Sequence, residues 1–181
     1  TLEQKGRWFP QEEMMYLRAP GNRVNSWMVD TTYMIDHTSL DLDNPYIRRL
    51  LEIGENDFGH PRKDIQINGH NFSSLFLRNV IHAAQLIQLI ESSDIAHPRV
   101  LEIGGGIGLF TALIKGYFGS KITLFCVDIP ETLFIQEWYL RNCYTDSSNS
   151  FKASSTICDF KEGGLNFINA YVLTSQNIKF D

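Results

Sequence analysis

The stretch Val100-Leu101-Glu102-Ile103-Gly104-Gly105-Gly106-Ile107-Gly108-Leu109-Phe110 constrains this chain more than any other. Val100 to Ile103 is a short apolar run of strand character, the glycines alternate into a turn at 104, 106 and 108, and Leu109 to Tyr117 carries a helical pattern. Glycine is needed where the backbone takes positive φ and where a ligand must come close to the main chain. A buried strand within "KITLFCVDIP" and an amphipathic helix over "ETLFIQEWYLRNC" follow. Strand, glycine turn, helix, strand and helix in that order predict a βαβα unit with a right-handed parallel crossover, hence an α/β, doubly wound sheet that begins near residue 99.

The segments on either side are read against that unit. Residues 1–45 are aromatic-rich and irregular, and "YIRRLLEIGE" from Tyr46 sets Ile47, Leu50 and Leu51 at helical spacing with Gly54 as a C-terminal stop. The tetrapeptide Leu-Glu-Ile-Gly therefore occurs twice with different meanings, since the first copy, 51–54, lacks the glycine ladder of the second, 101–104. "ENDFGHPRKDIQINGHN" is turn-rich, and Ser73 or Ser74 caps a second helix with Leu77, Val80, Ile81, Ala84, Ile87 and Ile90 on one face, ending near Ser92. Residues 1–95 are expected to form a mainly helical segment or cap, and 96–181 the N-terminal half of a cofactor-binding domain. Within the latter, "TDSSNSFKASS" from Thr145 reads as a polar loop, "LNFINAYVL" as a third strand, and "IKFD" as the entry to a fourth. A doubly wound sheet normally has about five or more strands, so the sheet is expected to be incomplete at its C-terminal end.

Composition excludes several classes of partner. A formal charge of −5 without a basic block argues against nucleic acid. No apolar stretch is long enough to span a bilayer, and no signal peptide opens the chain, which argues against a membrane. Cys126, Cys143 and Cys158 have no metal or C-x-x-C spacing, which favours reduced thiols and a cytoplasmic location. No metal-ligand set is visible either.

The chemistry of the glycine loop follows from its neighbours. A dinucleotide fingerprint G-x-G-x-x-G begun at Gly104 would need glycine where Leu109 stands, and one begun at Gly105 fails at Ile107. Glu102, two residues before the first glycine, repels a pyrophosphate but suits a cationic group or its water shell. Asp128 ends the second strand twenty residues after Gly108, where a carboxylate can accept both ribose hydroxyls, and Ile129 adjoins it. Glu102, Gly104, Gly105, Gly106, Gly108, Asp128 and Ile129 are thus the candidate cofactor-binding residues, with Glu102 and Asp128 expected to face one crevice. A cofactor with an ammonium, a sulfonium and no phosphate, S-adenosyl-L-methionine, fits this set better than a nicotinamide dinucleotide.

In these residues the chain resembles the S-adenosylmethionine-dependent methyltransferases of the Rossmann-like class. It is similar in particular to a family of sugar O-methyltransferases in which an "EIGGG-aromatic-G" loop precedes "DLPETL" and a "Q-x-x-Y-L"-like helix. The matching residues are Glu102 to Gly108 and "DIPETLFIQEWYL" from Asp128 to Leu140, with Ile107 at the aromatic position, and "GENDFGHP" and "NGHNFSSLFLR" upstream also look similar. The resemblance covers roughly residues 50–181 and implies methyl transfer to the hydroxyl of a sugar or other small acceptor. It also implies that the chain is a fragment, the alternative being a truncated or non-catalytic module that binds cofactor only.

A hydroxyl acceptor needs a proton acceptor, and histidine is the default near neutral pH. His60, His70 and His82 precede the sheet and are the candidates. His82, between Ile81 and Ala83, reads rather as a structural histidine, and His70 in "NGHN" as exposed or in contact with substrate. Asp57 and His60 beside Gly59-Pro61 could form a loop contact. Phe134, Trp138 and Tyr139 read as helix packing, and Asp159 as an adenine-side acid or a surface turn.

Overall fold

Asn44 opens the first helix. Its side-chain oxygen accepts hydrogen bonds from the backbone N–H of Tyr46 at 2.9 Å and of Ile47 at 3.3 Å, and Pro45 supplies a pre-set φ for the first turn. Helix α1, Pro45–Ile53, buries Ile47 and Leu50 and stops where Gly54 takes φ 79°. The first Leu-Glu-Ile-Gly copy is therefore a helix terminus. The computed structural model describes residues 40–144, 151–154 and 160–173. Readings made for 1–39, for Cys158 and Asp159, and for "IKFD" lie outside the described residues.

The turn-rich stretch contains a hairpin that pattern reading missed. Strands β1, Ile65–Ile67, and β2, His70–Phe72, pair antiparallel around Asn68-Gly69. Asn68 at φ 50° and Gly69 at φ 83° give the double positive φ of a type I′ turn, whose favoured sequence is Asn-Gly. Each strand has only three residues, too few for alternation to stand out.

Helix α2, Ser74–Glu91, is capped by Ser73, whose hydroxyl accepts from Phe76 N–H at 3.1 Å. Of the two serines offered by the sequence, the first does the capping. Phe76, Leu77, Val80, Ala83, Ala84 and Ile87 are buried, while Ile81 and Ile90 pack at the edge of the same core.

The sheet then unfolds in the expected order. Strand β3 is Arg99–Ile103, helix α3 is Leu109–Phe118, a 3-10 turn spans Gly119–Lys121, strand β4 is Thr123–Asp128, and helix α4 is Pro130–Cys143. Two further strands, β5 at Phe151–Ser154 and β6 at Leu165–Asn169, and a short helix α5, Ala170–Leu173, complete the described chain. All four strands pair in parallel in the order β3-β4-β6-β5. Thr123 to Val127 are all buried, as in a central parallel strand covered on both faces.

Two sequence readings are corrected here. Phe151–Ser154, assigned to a polar loop, is a strand pairing with β6; a short strand paired on one side needs no apolar run, so composition does not reveal it. The third strand stops at Asn169, and Ala170 starts a helix rather than continuing it. The fold is a mixed α/β structure with a parallel sheet. All strands lie to one side of β3, so the reversal of strand order that defines a doubly wound sheet is not among the described residues.

One apolar core joins α1, α2, α3 and α4 to the sheet face carrying Leu124, Cys126, Leu165 and Phe167. On the opposite face Phe125, Val127 and Ile168 form a smaller cluster, with Phe160 edge-on to Phe125 at 5.2 Å and the Arg99 guanidinium 4.9 Å from the Phe160 ring centroid. Cys126 is buried and Cys143 half-buried, neither in a disulfide, and the Cys143 sulfur accepts from Asn56 Nδ2 at 3.2 Å. Tyr139 is fully buried, with Phe134 and Trp138 packed against the same core, as expected of helix packing. Among the described residues no helix is long and apolar enough to cross a membrane.

Candidate functional site

The glycine loop lies where β3 ends and α3 begins. Gly104 continues the ladder by donating its N–H to Val127 O at 2.9 Å, and Gly108 N–H closes the turn on Gly105 O at 3.0 Å. Gly104, Gly106 and Gly108 take φ of 72°, 57° and 91°, a region L side chains rarely adopt. Alternation of glycines in the sequence thus records alternating left-handed positions. Gly108 also serves as the N-cap of α3 without any side-chain hydrogen bond, which leaves the first-turn amides of that helix uncapped by a side chain.

Asp128 ends β4 beside this loop. Parallel register pairs Glu102 with Cys126 and Ile103 with Val127, so the two strand ends are adjacent and point the same way. One Asp128 oxygen, Oδ1, accepts from Ile129 N–H at 2.8 Å. Three apolar side chains stand out at these strand ends: Ile103 is 69% exposed, Ile129 47% and Tyr171 76%. Large apolar groups are thus left in water at the carboxyl ends of three parallel strands.

Glu102 is held by hydrogen bonds at the loop. Its carboxylate lies against Gly105 and within reach of the Asp128 charge: Oε2 accepts from the Thr111 hydroxyl and from Gln136 Nε2, the latter at 3.1 Å. A side chain on Gly105 would collide with that carboxylate and with Gln136 Nε2, 2.5 Å from the added carbon. The loop therefore runs directly over a polar network. Thr111 and Gln136 were not singled out from sequence, yet the signal exists in α4: Leu133, Gln136 and Leu140 share one buried face, and a polar residue at a core position calls for a partner. Gln136 Oε1 is itself buried without a hydrogen bond among the described residues.

Burial raises the Glu102 pKa above its ordinary value of 4.5, hydrogen bonds from Thr111 and Gln136 oppose the rise, and the Asp128 charge adds to it. For a carboxyl raised on folding, its contribution to stability is complete below the ordinary value. It is lost as pH climbs from there through the folded value, because the unfolded chain releases the proton more readily. Glu102→Gln removes the charge and keeps the shape. It is expected to gain stability relative to wild type between about pH 4 and pH 7, with about 2–4 °C in melting temperature per kcal/mol. Melting curves at both ends of that range that show the same difference would contradict a net cost of burying this charge.

None of the three histidines was found where a base for this crevice would be needed. His82 is exposed on α2 and not a core histidine, because the buried face passes through Ala83 and Ala84 instead. His60 is exposed at φ 53° in the segment before the hairpin. His70 lines a cavity of about 420 Å³ bounded by α1, the 54–63 segment and the hairpin, which shares no residue with the glycine loop. In the same segment Asp57 accepts from Lys63 Nζ at 2.7 Å. Among the described residues no group of three or more His, Cys, Asp or Glu could hold a metal ion.

Comparison of the chain with protein-family models, curated proteins and solved structures finds no match.

Proposed function

We propose that the protein is an S-adenosylmethionine-dependent O-methyltransferase acting on a sugar or another small hydroxyl compound, built on a Rossmann-like methyltransferase sheet. One observation carries this reading: a loop with three left-handed glycines after β3 stands beside Asp128, the last residue of the neighbouring parallel strand β4. Ligands of open α/β sheets bind outside the carboxyl ends of such strands.

The residues present fit this cofactor. Asp128 would accept ribose hydroxyls, its Oδ1 being oriented by the Ile129 amide, and Ile103 and Ile129 would cover the flat face of an adenine. Gly104 and Gly106 let the backbone come close to the ligand, and the Glu102 carboxylate beneath them favours a cation above. Bound there, S-adenosylmethionine supplies a methyl group already activated by its sulfonium for in-line transfer to an acceptor oxygen. The chain's task is then to hold donor and acceptor in line and to exclude water.

S-adenosylhomocysteine is expected to raise the melting temperature of the full chain. At about 100 times its Kd the stabilisation is about 2.7 kcal/mol, equivalent to about 5–10 °C at this size. Asp128→Ala should remove the shift while leaving the circular dichroism spectrum unchanged, and no shift in the unmutated chain sinks the proposal. The positions of His60, His70 and His82 favour a second reading, a module that binds cofactor without transferring methyl. Incubation with labelled S-adenosylmethionine and a panel of sugars separates the two, since label on any sugar eliminates the second.

A further inference from the structure

The cavity on the helical flank has a chemistry of its own. Leu51, Ile67 and Phe72 form its apolar wall, and its polar lining includes Arg48, Lys63 and His70. At about 420 Å³ it has the size of a small-ligand site.

What such a site can take is set by the hydrogen-bonding capacity left over after the protein's own contacts. Each of its two carboxylates has a partner, Glu52 through one oxygen of an exposed pair and Glu55 through both of its oxygens. Glu52 accepts from the Arg49 guanidinium at 3.0 Å, and Glu55 accepts from both the backbone N–H and the hydroxyl of Ser73, each at 2.6 Å. Lys63 is committed as well, donating to Glu55 O at 2.6 Å and to Asp57 Oδ1 at 2.7 Å. These bonds tie the 54–57 segment to the start of α2 and give the cavity a fixed rim. Among the described residues, by contrast, no hydrogen bond or ion pair engages the exposed side chains of Arg48, Asn68, His70 and Asn71, and His70 makes a tilted ring contact with Phe72 at 6.5 Å. The uncommitted groups are thus a cation with a planar fork of donors, a ring N–H donor and the side-chain amides of Asn68 and Asn71, with Arg48 the one uncommitted charge among them.

We propose that this cavity is a second ligand site, separate from the glycine loop, for a small molecule that carries a carboxylate or phosphate group on an apolar body. Arg48 grips the anionic head through two parallel N–H donors, a geometry that matches both carboxylate and phosphate oxygens. His70 donates from the other side, and the body of the ligand lies on Leu51, Ile67 and Phe72. The site does not depend on the methyltransferase reading.

Calorimetric titration of the full chain with phenyl phosphate, benzoate and benzyl alcohol tests it. Both anions are expected to bind, with dissociation constants of about 1 mM or tighter, and the neutral alcohol not to bind. The stronger of the two anions identifies the head group. Arg48→Gln should weaken the anions at least about tenfold, a change equivalent to one decade in Kd, and His70→Gln by less. Asp128→Ala should leave them untouched. Absence of binding by both anions, equal binding of benzyl alcohol, or affinities indifferent to Arg48→Gln would overturn the proposal. So would loss of anion binding in Asp128→Ala, which would place the ligand at the glycine loop.

Discussion

Replacing Gly163 by alanine is expected to lower the melting temperature by about 5–15 °C, the sum of about 1–2 kcal/mol of left-handed strain and about 1–3 kcal/mol of overpacking. Gly163 has φ +67°, and a Cβ there would lie 2.6 Å from the Ser120 carbonyl oxygen. That neighbour is backbone and cannot swing aside. The position is also tied down on every side: its N–H donates to Thr123 Oγ1 at 2.8 Å, and its carbonyl accepts from Lys115 Nζ at 2.7 Å. Lys115 is buried and donates a second bond to Gly119 O at 2.8 Å, so it joins the end of α3 to the turn before β6. Its ammonium pKa is lowered by burial, and moving Gly163 would strip one acceptor from a desolvated cation. Gly119 provides the control. It too has positive φ, +60°, but nothing lies within 4 Å of an added Cβ, so Gly119→Ala should cost the strain alone. Equal melting temperatures for the two variants would show that the Ser120 contact yields.

Gly108→Ala is expected to disable the loop itself, with a loss of about 2–4 kcal/mol in stability from strain and crowding together. In the proposed enzyme it should also weaken S-adenosylhomocysteine at least about tenfold, equivalent to about 1.4 kcal/mol. The residue has φ +91°, and a methyl group would meet Gln136 Cγ at 2.9 Å and Leu140 Cδ1 at 3.3 Å. Gln136 cannot retreat freely, because its amide holds the Glu102 carboxylate. Displacing it would disturb the support under Gly105 as well. Gly104→Ala serves as comparison, since it shares the positive φ of +72° but has open space around an added Cβ. Thermal melts and ligand titrations on the pair separate loop strain from loss of the Gln136 strut. If Gly104→Ala harms stability as much as Gly108→Ala, packing against α4 is not what constrains the loop.

How much of this was legible beforehand depended on the range of the interaction. Helix α1 and its Gly54 terminus, the Ser73 cap of α2, and the strand-turn-helix around Gly104–Gly108 all follow from contacts within a few residues, and each was readable from spacing and cap chemistry. The hairpin carried a local signal too, Asn68-Gly69, but it was outweighed by the polar residues around it. Strand β5 carried none, because its pairing partner lies beyond an intervening segment and supplies the order that its own residues do not.

The candidate site divides along the same line. Which residues come to the carboxyl ends of β3 and β4 was determined by the sequence alone, since a glycine ladder and a strand-terminal aspartate are local features. Where their side chains point was decided by the tertiary structure. Glu102 is held against the loop because Thr111 on α3 and Gln136 on α4 offer it donors, and a buried carboxylate goes where donors are. The same holds for the histidines. A proton acceptor is defined by what it can reach, and only the packing of α1, the hairpin and α2 set His70 into a separate cavity and left His82 in water.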